Sequence, residues 1–254
     1  MSELEAARLA LDCLDLTSLN DGDDDAAIDA LCRRAVGSQG KVAAVCVWPR
    51  FVAQARAALP RDVAVAAVAN FPDGALDAGR ALADTRAIVA AGGDEVDLVL
   101  PWRAMLSGQD DAAAQLVAQV RSACRGQRLK LIIESGELPA PEAIRQACRI
   151  GLDAGVDFLK TSTGKTAHGA SLDAARVMLE TIAAHPRAAA VGFKASGGIR
   201  SVADAAGYLT LAREVMGVRM LNPARLRFGA SGLLTDVERV LSGQGGAAAA
   251  TSGY

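Results

Sequence analysis

Aromatic side chains are scarce in this chain. Phe, Trp and Tyr supply 4% of its 254 residues, too few for an aromatic platform that stacks bases or sugars. Histidine occurs only at His168 and His185, and neither stands at a spacing that would bind a metal, so metal-dependent chemistry is disfavoured. The five cysteines (Cys13, Cys32, Cys46, Cys124, Cys148) form no C-x-x-C pair and are odd in number. With no secretion signal at the N-terminus, they read as free thiols of a reducing cytoplasm. No apolar run approaches the ~20 residues of a membrane-spanning helix. Net charge is −2, so neither nucleic acid nor an anionic membrane is an expected partner. Any anion must be bound locally.

What the chain does have is a regular alternation. Short β-branched or aliphatic runs at 14–19, 42–48, 63–69, 95–100, 129–134, 158–163, 190–195 and 227–231 read as strands. Helical patterns lie between and after them, at 25–36, 51–59, 77–90, 111–124, 141–154, 171–184, 201–215 and 232–241, with one more at 3–12. Asp77, Ser171 and Ser201 suit helix N-caps. AAGGDEVDLV and DAGVDFLK each place a Gly just past a helix and an Asp before a strand. Eight strand–helix units without a change of composition predict a single (β/α)8 barrel over 1–242, an N-terminal helix and a flexible tail over 243–254. A doubly wound open sheet is the rival, weakened by the absence of G-x-G-x-x-G after the first strand. The acidic run at 21–25 reads as a solvated helix start.

Charges then appear where a barrel should be aliphatic. Side chains alternate across a strand, and the outer face must be apolar to receive helices. Leu14 and Leu16 therefore turn Asp15 and Thr17 inward, and Val96, Leu98 and Leu100 do the same for Asp97. Leu131 and Ile133 turn Lys130 and Glu134 inward, Leu159 turns Lys160, and Val191 with Phe193 turns Lys194. The expected interior set is Asp15, Asp97, Lys130, Lys160 and Lys194, with Glu134 as a further candidate. A buried structural ion-pair network is the plain alternative. Lysine suits that purpose less well than arginine, which stays charged and forks to carboxylates.

Lysine is the better residue if a pKa must fall. A neutral amine attacks carbonyls, and a neighbouring cation depresses its pKa. Lys160 and Lys194, on adjacent strands, are suited to such a pair: one forms a Schiff base, the other keeps it deprotonated, and parity does not say which. A carboxylate such as Asp97 moves protons, directly or through water. The loops after strands seven and eight, SGGIR (196–200) and GASG (229–232), with Gly164 and Lys165 after strand six, suit a phosphate. STGKT (162–166) imitates the end of a Walker loop, but Leu159 stands where that motif needs Gly. Cys46 falls on inward parity and reads as a bystander thiol, while Trp48 and Trp102 stand at strand ends.

LDLTSLN, VCVWPRF, VANFPDG, DEVDLVLP, LKLIIESGEL, DFLKTSTGK, VGFKASGGIR and RFGASGLL resemble, in order, the motifs of the deoxyribose-phosphate aldolase family. The resemblance runs from Leu14 to Leu234 and includes the terminal Tyr254. It implies a cofactor-free, metal-free class I aldolase on a barrel, cleaving 2-deoxy-D-ribose 5-phosphate to acetaldehyde and D-glyceraldehyde 3-phosphate. By the same resemblance Lys160 is the Schiff-base lysine, Lys194 lowers its pKa, and Asp97 is the proton-relay acid. Lys130 and Asp15 support the relay, and Tyr254 is a proton carrier at the end of its tail. Gly164, Lys165, Gly197, Gly198, Arg200, Gly229, Ser231 and Gly232 hold the phosphate. Ala195-Ser196 and Gly232 depart from the family's usual Pro-Ala and second Ser, both at the phosphate end. The expected partner is a small sugar phosphate, with a homodimer as the assembly considered. A Schiff-base barrel for another aldehyde or sugar phosphate is the alternative, and a silent sugar-phosphate-binding protein a third reading.

Overall fold

The computed structural model describes residues 1–243, so Tyr254 and the rest of segment 244–254 lie outside the described residues. Eight parallel strands form the centre: β1 (Leu14–Thr17), β2 (Ala44–Val47), β3 (Ala64–Ala69), β4 (Glu95–Val99), β5 (Arg128–Ile132), β6 (Phe158–Lys160), β7 (Gly192–Ser196) and β8 (Leu226–Ala230). Each pairs with its neighbour in chain order, and β1 pairs with both β2 and β8 to close the barrel. The predicted (β/α)8 architecture is borne out.

Ten helices surround this sheet among the described residues. They are α1 (Glu3–Asp12), α2 (Asp25–Ala35), α3 (Val52–Ala58), α4 (Ala78–Ala90), α5 (Trp102–Leu106), α6 (Asp110–Ala123), α7 (Pro141–Asp153), α8 (Leu172–Ala183), α9 (Val202–Met216) and α10 (Leu233–Leu241). Asp77, Ser171 and Ser201 each accept a hydrogen bond from a first-turn N–H, as N-caps should. Helix α5, one turn long, and the short antiparallel pair Val36–Gly37 with Gly40–Lys41 carry too few residues for a periodic pattern and were not anticipated.

The two Gly-then-Asp signals have a mechanical explanation. Gly92 and Gly155 take φ of 84° and 82°, the left-handed turn that ends α4 and α7. The following Asp94 accepts the N–H of Val65 at 2.8 Å and pairs with Arg56 at 2.8 Å. Asp157 likewise accepts the N–H of Leu129 at 2.8 Å and pairs with Arg121 at 2.7 Å. Each Asp thus ties the start of the preceding strand to an outer helix.

Val96, Leu98, Leu131, Leu159 and Phe193 are buried, as the outward parity requires. The space inside the strands is where the molecule departs from an aliphatic barrel. Lys130, Lys160 and Lys194 are among the largest fully buried side chains.

Candidate active site

Register brings the charged residues together. Lys160 is the direct neighbour of Lys194 across β6 and β7, and Asp97 the neighbour of Lys130 across β4 and β5. Lys194 in turn stands beside Arg227 of β8, and Asp15 of β1 beside Gly229. Asp97 Oδ2 accepts from Lys160 Nζ and from Lys194 Nζ, each at 2.8 Å, while its Oδ1 accepts from Lys130 Nζ at 2.7 Å. Asp15 Oδ2 accepts from Lys194 Nζ at 2.5 Å and lies 3.4 Å from Lys130 Nζ. All five interior residues expected from parity belong to this one cluster.

The surroundings act differently on the two facing lysines. Burial pulls Lys160 below the ordinary lysine value; Asp97 opposes this, and the Lys194 charge adds to the fall. Burial also disfavours the Lys194 ammonium, but Asp15 and then Asp97 outweigh it and hold its pKa above the ordinary value. Asp97 remains a carboxylate. Burial acts against its charge, yet Lys130, Lys160 and Lys194 together hold its pKa well below the usual range. The site therefore offers one amine biased toward neutrality beside one held as ammonium.

Two residues of the cluster were missed from sequence. Glu95 lies two positions before Asp97 and Arg227 two before Gly229, so both share the inward parity one layer nearer the N-terminal end. At a strand's first or second position, a charge reads as a solvated edge. Here they are 1% and 3% exposed. Arg227 bonds Asp15 at 2.6 Å and Glu95 at 2.9 Å, and Glu95 pairs with Lys130 at 2.5 Å.

Glu134 does not join the cluster. The chain turns at this residue, with φ 53° and ψ 53°, rather than continuing β5. Its carboxylate accepts the N–H of Thr163 at 3.1 Å and the hydroxyl of Thr166 at 3.4 Å. β6 ends at Lys160, and the Thr163 N–H goes to Glu134 rather than to a neighbouring strand. Burial pushes the Glu134 carboxyl above its usual range. Cys46 is buried, with Sγ 4.0 Å from Asp97 Oδ2. Trp48 donates to the carbonyl of Asn20 at 3.1 Å, and Trp102 is buried in packing.

Above the lysines, at the C-terminal ends of the strands, lies a cavity of about 430 Å³. Gly164, Lys165, Gly197, Gly198, Arg200, Gly229, Ser231 and Gly232 all line it, together with Thr17, Ser18 and Asn20. Close backbone approach explains two of the glycines. Gly197 has φ 93°, and a Cβ there would come 3.0 Å from Gly169 Cα. A Cβ on Gly229 would meet Ser196 Oγ at 2.7 Å and Lys194 Cε at 2.9 Å. Lys165 and Arg200 bring positive charge to the rim, and Gly232, the N-cap of α10, lines the cavity so that the helix N-terminus lies at this end. Tyr254 falls outside the described residues. Among the described residues no group of three His, Cys, Asp or Glu side chains is placed to hold a metal ion. No described helix is long and apolar enough to cross a membrane.

Comparison with known proteins gives a consistent result. Residues 9–232 match the DeoC/LacD family aldolase. The chain is 47% identical over 253 residues to a deoxyribose-phosphate aldolase of Agrobacterium fabrum, covering 98% of this chain and 96% of that protein. Among solved structures, a Coccidioides immitis protein assigned as a deoxyribose-phosphate aldolase superposes with TM-score 0.78 at 28% identity, over 92% of this chain and 86% of that one. The tetrameric deoxyribose phosphate aldolase of Aeropyrum pernix shares the fold, with TM-score 0.71 at 22% identity over 94% and 97% of the two chains.

Proposed function

This chain belongs to the DeoC/LacD family of aldolases, and from that premise we propose that it cleaves 2-deoxy-D-ribose 5-phosphate reversibly to acetaldehyde and D-glyceraldehyde 3-phosphate. The observation that carries the reading is the pairing of two buried register neighbours, Lys160 and Lys194, on one oxygen of Asp97, with burial lowering the pKa of Lys160 while Asp15 and Asp97 raise that of Lys194. A Schiff-base lysine needs a neutral amine, and burial beside a second cation is one way to provide it.

Lys160 attacks C1 of the open-chain sugar. The carbinolamine loses water and becomes an iminium, with Lys194 and Lys130 as the nearby proton donors. A base then takes the proton of the C3 hydroxyl, the C2–C3 bond breaks, and its electron pair moves into the enamine on Lys160. Glyceraldehyde 3-phosphate leaves. Protonation at C2 and hydrolysis of the imine release acetaldehyde and regenerate the amine. Asp97 is ionised in the resting site, so its part in the relay begins as proton acceptor rather than as stored acid. Asp15 and Lys130 orient it, and Tyr254 carries protons at C2, an assignment that rests on the family resemblance alone.

The phosphate belongs in the mouth cavity, where the loop glycines offer backbone N–H groups and Lys165 and Arg200 offer charge. The five buried, unpaired cysteines favour a reducing cytoplasm, within deoxyribose phosphate catabolism. The direct test is release of both products from deoxyribose 5-phosphate in excess EDTA. Full turnover is expected. Turnover only of a different aldehyde or sugar phosphate would move the chain to another imine-forming aldolase, and loss of activity with the chelator would contradict a metal-free mechanism.

A further inference from the structure

The buried charges form a closed alternating ring. Asp15 joins Arg227 at 2.6 Å to Lys194 at 2.5 Å, Asp97 joins Lys194 at 2.8 Å to Lys130 at 2.7 Å, and Glu95 joins Lys130 at 2.5 Å to Arg227 at 2.9 Å. Three cations and three carboxylates thus balance one another inside the strands. Lys160 stands outside the ring, attached only to Asp97, whose charge Lys194 and Lys130 already engage. An ammonium there would be a fourth cation facing three carboxylates in a water-poor interior, where an unbalanced charge is disfavoured most.

We propose that Arg227, from the N-terminal floor of the barrel, is the positioning residue that keeps the Lys160 amine uncharged by closing this ring. It touches neither Lys160 nor the cavity above it. Its effect is indirect: it takes up Asp15 and Glu95, which leaves Lys194 and Lys130 to share Asp97. Arginine suits the post because its charge cannot be relieved by deprotonation, so the surplus must be shed by a lysine. Lys160, with the fewest carboxylate partners, is the one that sheds it.

Of the other charged groups near this cluster, Arg128 changes the count, and it does so in the same direction. Cys46 faces Lys160 from β2, and burial keeps that thiol protonated. Glu134, beyond β5, gives its oxygens to Thr163 and Thr166 and makes no ion pair with Lys160; burial pushes it toward its neutral form and outweighs the opposing pull of the Lys160 charge. Arg128 pairs with Glu95 at 2.6 Å from the partly solvated floor, which adds to the cation excess.

The inference rests on Lys160 being the reactive lysine, so its test reads the amine itself and not turnover. Trace labelling with acetic anhydride over a pH series, followed by peptide mass analysis, gives the pH at which Lys160 is half reactive. Arg227→Met should move that point upward by about one pH unit, because one cation fewer then competes with Lys160 for the three carboxylates. Arg227→Lys keeps the charge and should leave the point near that of the native protein. Glu95→Gln deepens the deficit and should move it down, and the pair Arg227→Met with Glu95→Gln should return it. An unchanged half-point in Arg227→Met, or equal shifts in Arg227→Met and Arg227→Lys, would overturn the proposal. Should Arg227→Met not fold, Glu95→Gln decides alone: a downward shift supports the ring and no shift refutes it. A Lys160 that never forms an imine with acetaldehyde, whatever its half-point, would instead count against the aldolase mechanism.

Discussion

Lys160 and Lys194 donate to the same oxygen, Asp97 Oδ2, each at 2.8 Å. Two amines converging on one acceptor are a poor arrangement if both are ammonium. They are a good one if one is neutral. Removing the like charge should therefore raise the pKa of the other: in Lys194→Leu the neutral fraction of Lys160 falls at any given pH, and imine formation with acetaldehyde slows. Its pH profile should move upward by about one to three units, read from the initial rate of trapping across pH. An unmoved profile would remove Lys194 from the tuning role.

Gly229 bears on the same lysine through space. A methyl there would stand 2.9 Å from Lys194 Cε and 2.7 Å from Ser196 Oγ, and Lys194 cannot swing aside without leaving Asp15 or Asp97. Gly229→Ala should lower kcat by about 10- to 100-fold through misplacement of Lys194 and cost about 1–3 kcal/mol of stability from overpacking. Steady-state kinetics beside denaturant unfolding measure the two effects, and native kcat would show that Lys194 has slack.

At the mouth cavity, where the phosphate is proposed to bind, the departure of Gly232 from the family pattern is open to repair. A Cβ on Gly232 meets nothing within 4 Å, and the residue lines the mouth cavity at the start of α10. Gly232→Ser should fold normally and add a hydroxyl for the phosphate. One such bond to a charged group contributes about 1.5 kcal/mol, so KM should fall by up to about tenfold with kcat unchanged. Inhibition by inorganic phosphate should tighten in parallel. No change in either would place the phosphate elsewhere.

Acid should unfold the protein from within the barrel. Glu95 is held at about 2 against an ordinary value of 4.5, since Lys130 and Arg227 outweigh its burial. Asp15 and Asp97 are lowered as well. A carboxylate whose folded pKa is depressed contributes stability above its unfolded value, and that contribution is lost as pH falls toward the folded one. The thermal midpoint should hold near neutrality and drop steeply from about pH 4.5 toward 2. Glu95→Gln should lower the midpoint at neutral pH and make the acid limb shallower. Parallel curves for the two proteins would show that Glu95 does not drive the acid transition.

Most of the barrel was legible because its outer face obeys a strict rule. Leu159 and Phe193 must meet helices, so Lys160 and Lys194 must point inward, and no contact information was needed to say so. The loops that line the mouth cavity were legible because Gly197 and Gly229 stand at the ends of successive strands. At the floor, Glu95 and Arg227 stand at the start of their strands, where a charge reads as solvated, although their spacing of two from Asp97 and Gly229 places them on the inward face. Glu134 leaves the parity rule for the opposite reason, although it is buried. Parity applies only while the chain stays extended, and a left-handed turn at that residue is fixed by its bond to Thr163, 29 positions away. Nor does parity distinguish the two facing lysines. That follows from the number of carboxylates each one touches, which is a property of the assembled interior.

The most direct measurement of the aldolase mechanism is borohydride reduction in the presence of deoxyribose 5-phosphate, followed by intact mass and peptide mapping. A single reduced adduct on the peptide holding Lys160 is the predicted result, with Lys160→Ala giving none and losing at least about 10⁴-fold in turnover. An adduct on Lys194 would exchange the two roles. Full turnover with no adduct on either lysine would contradict the account.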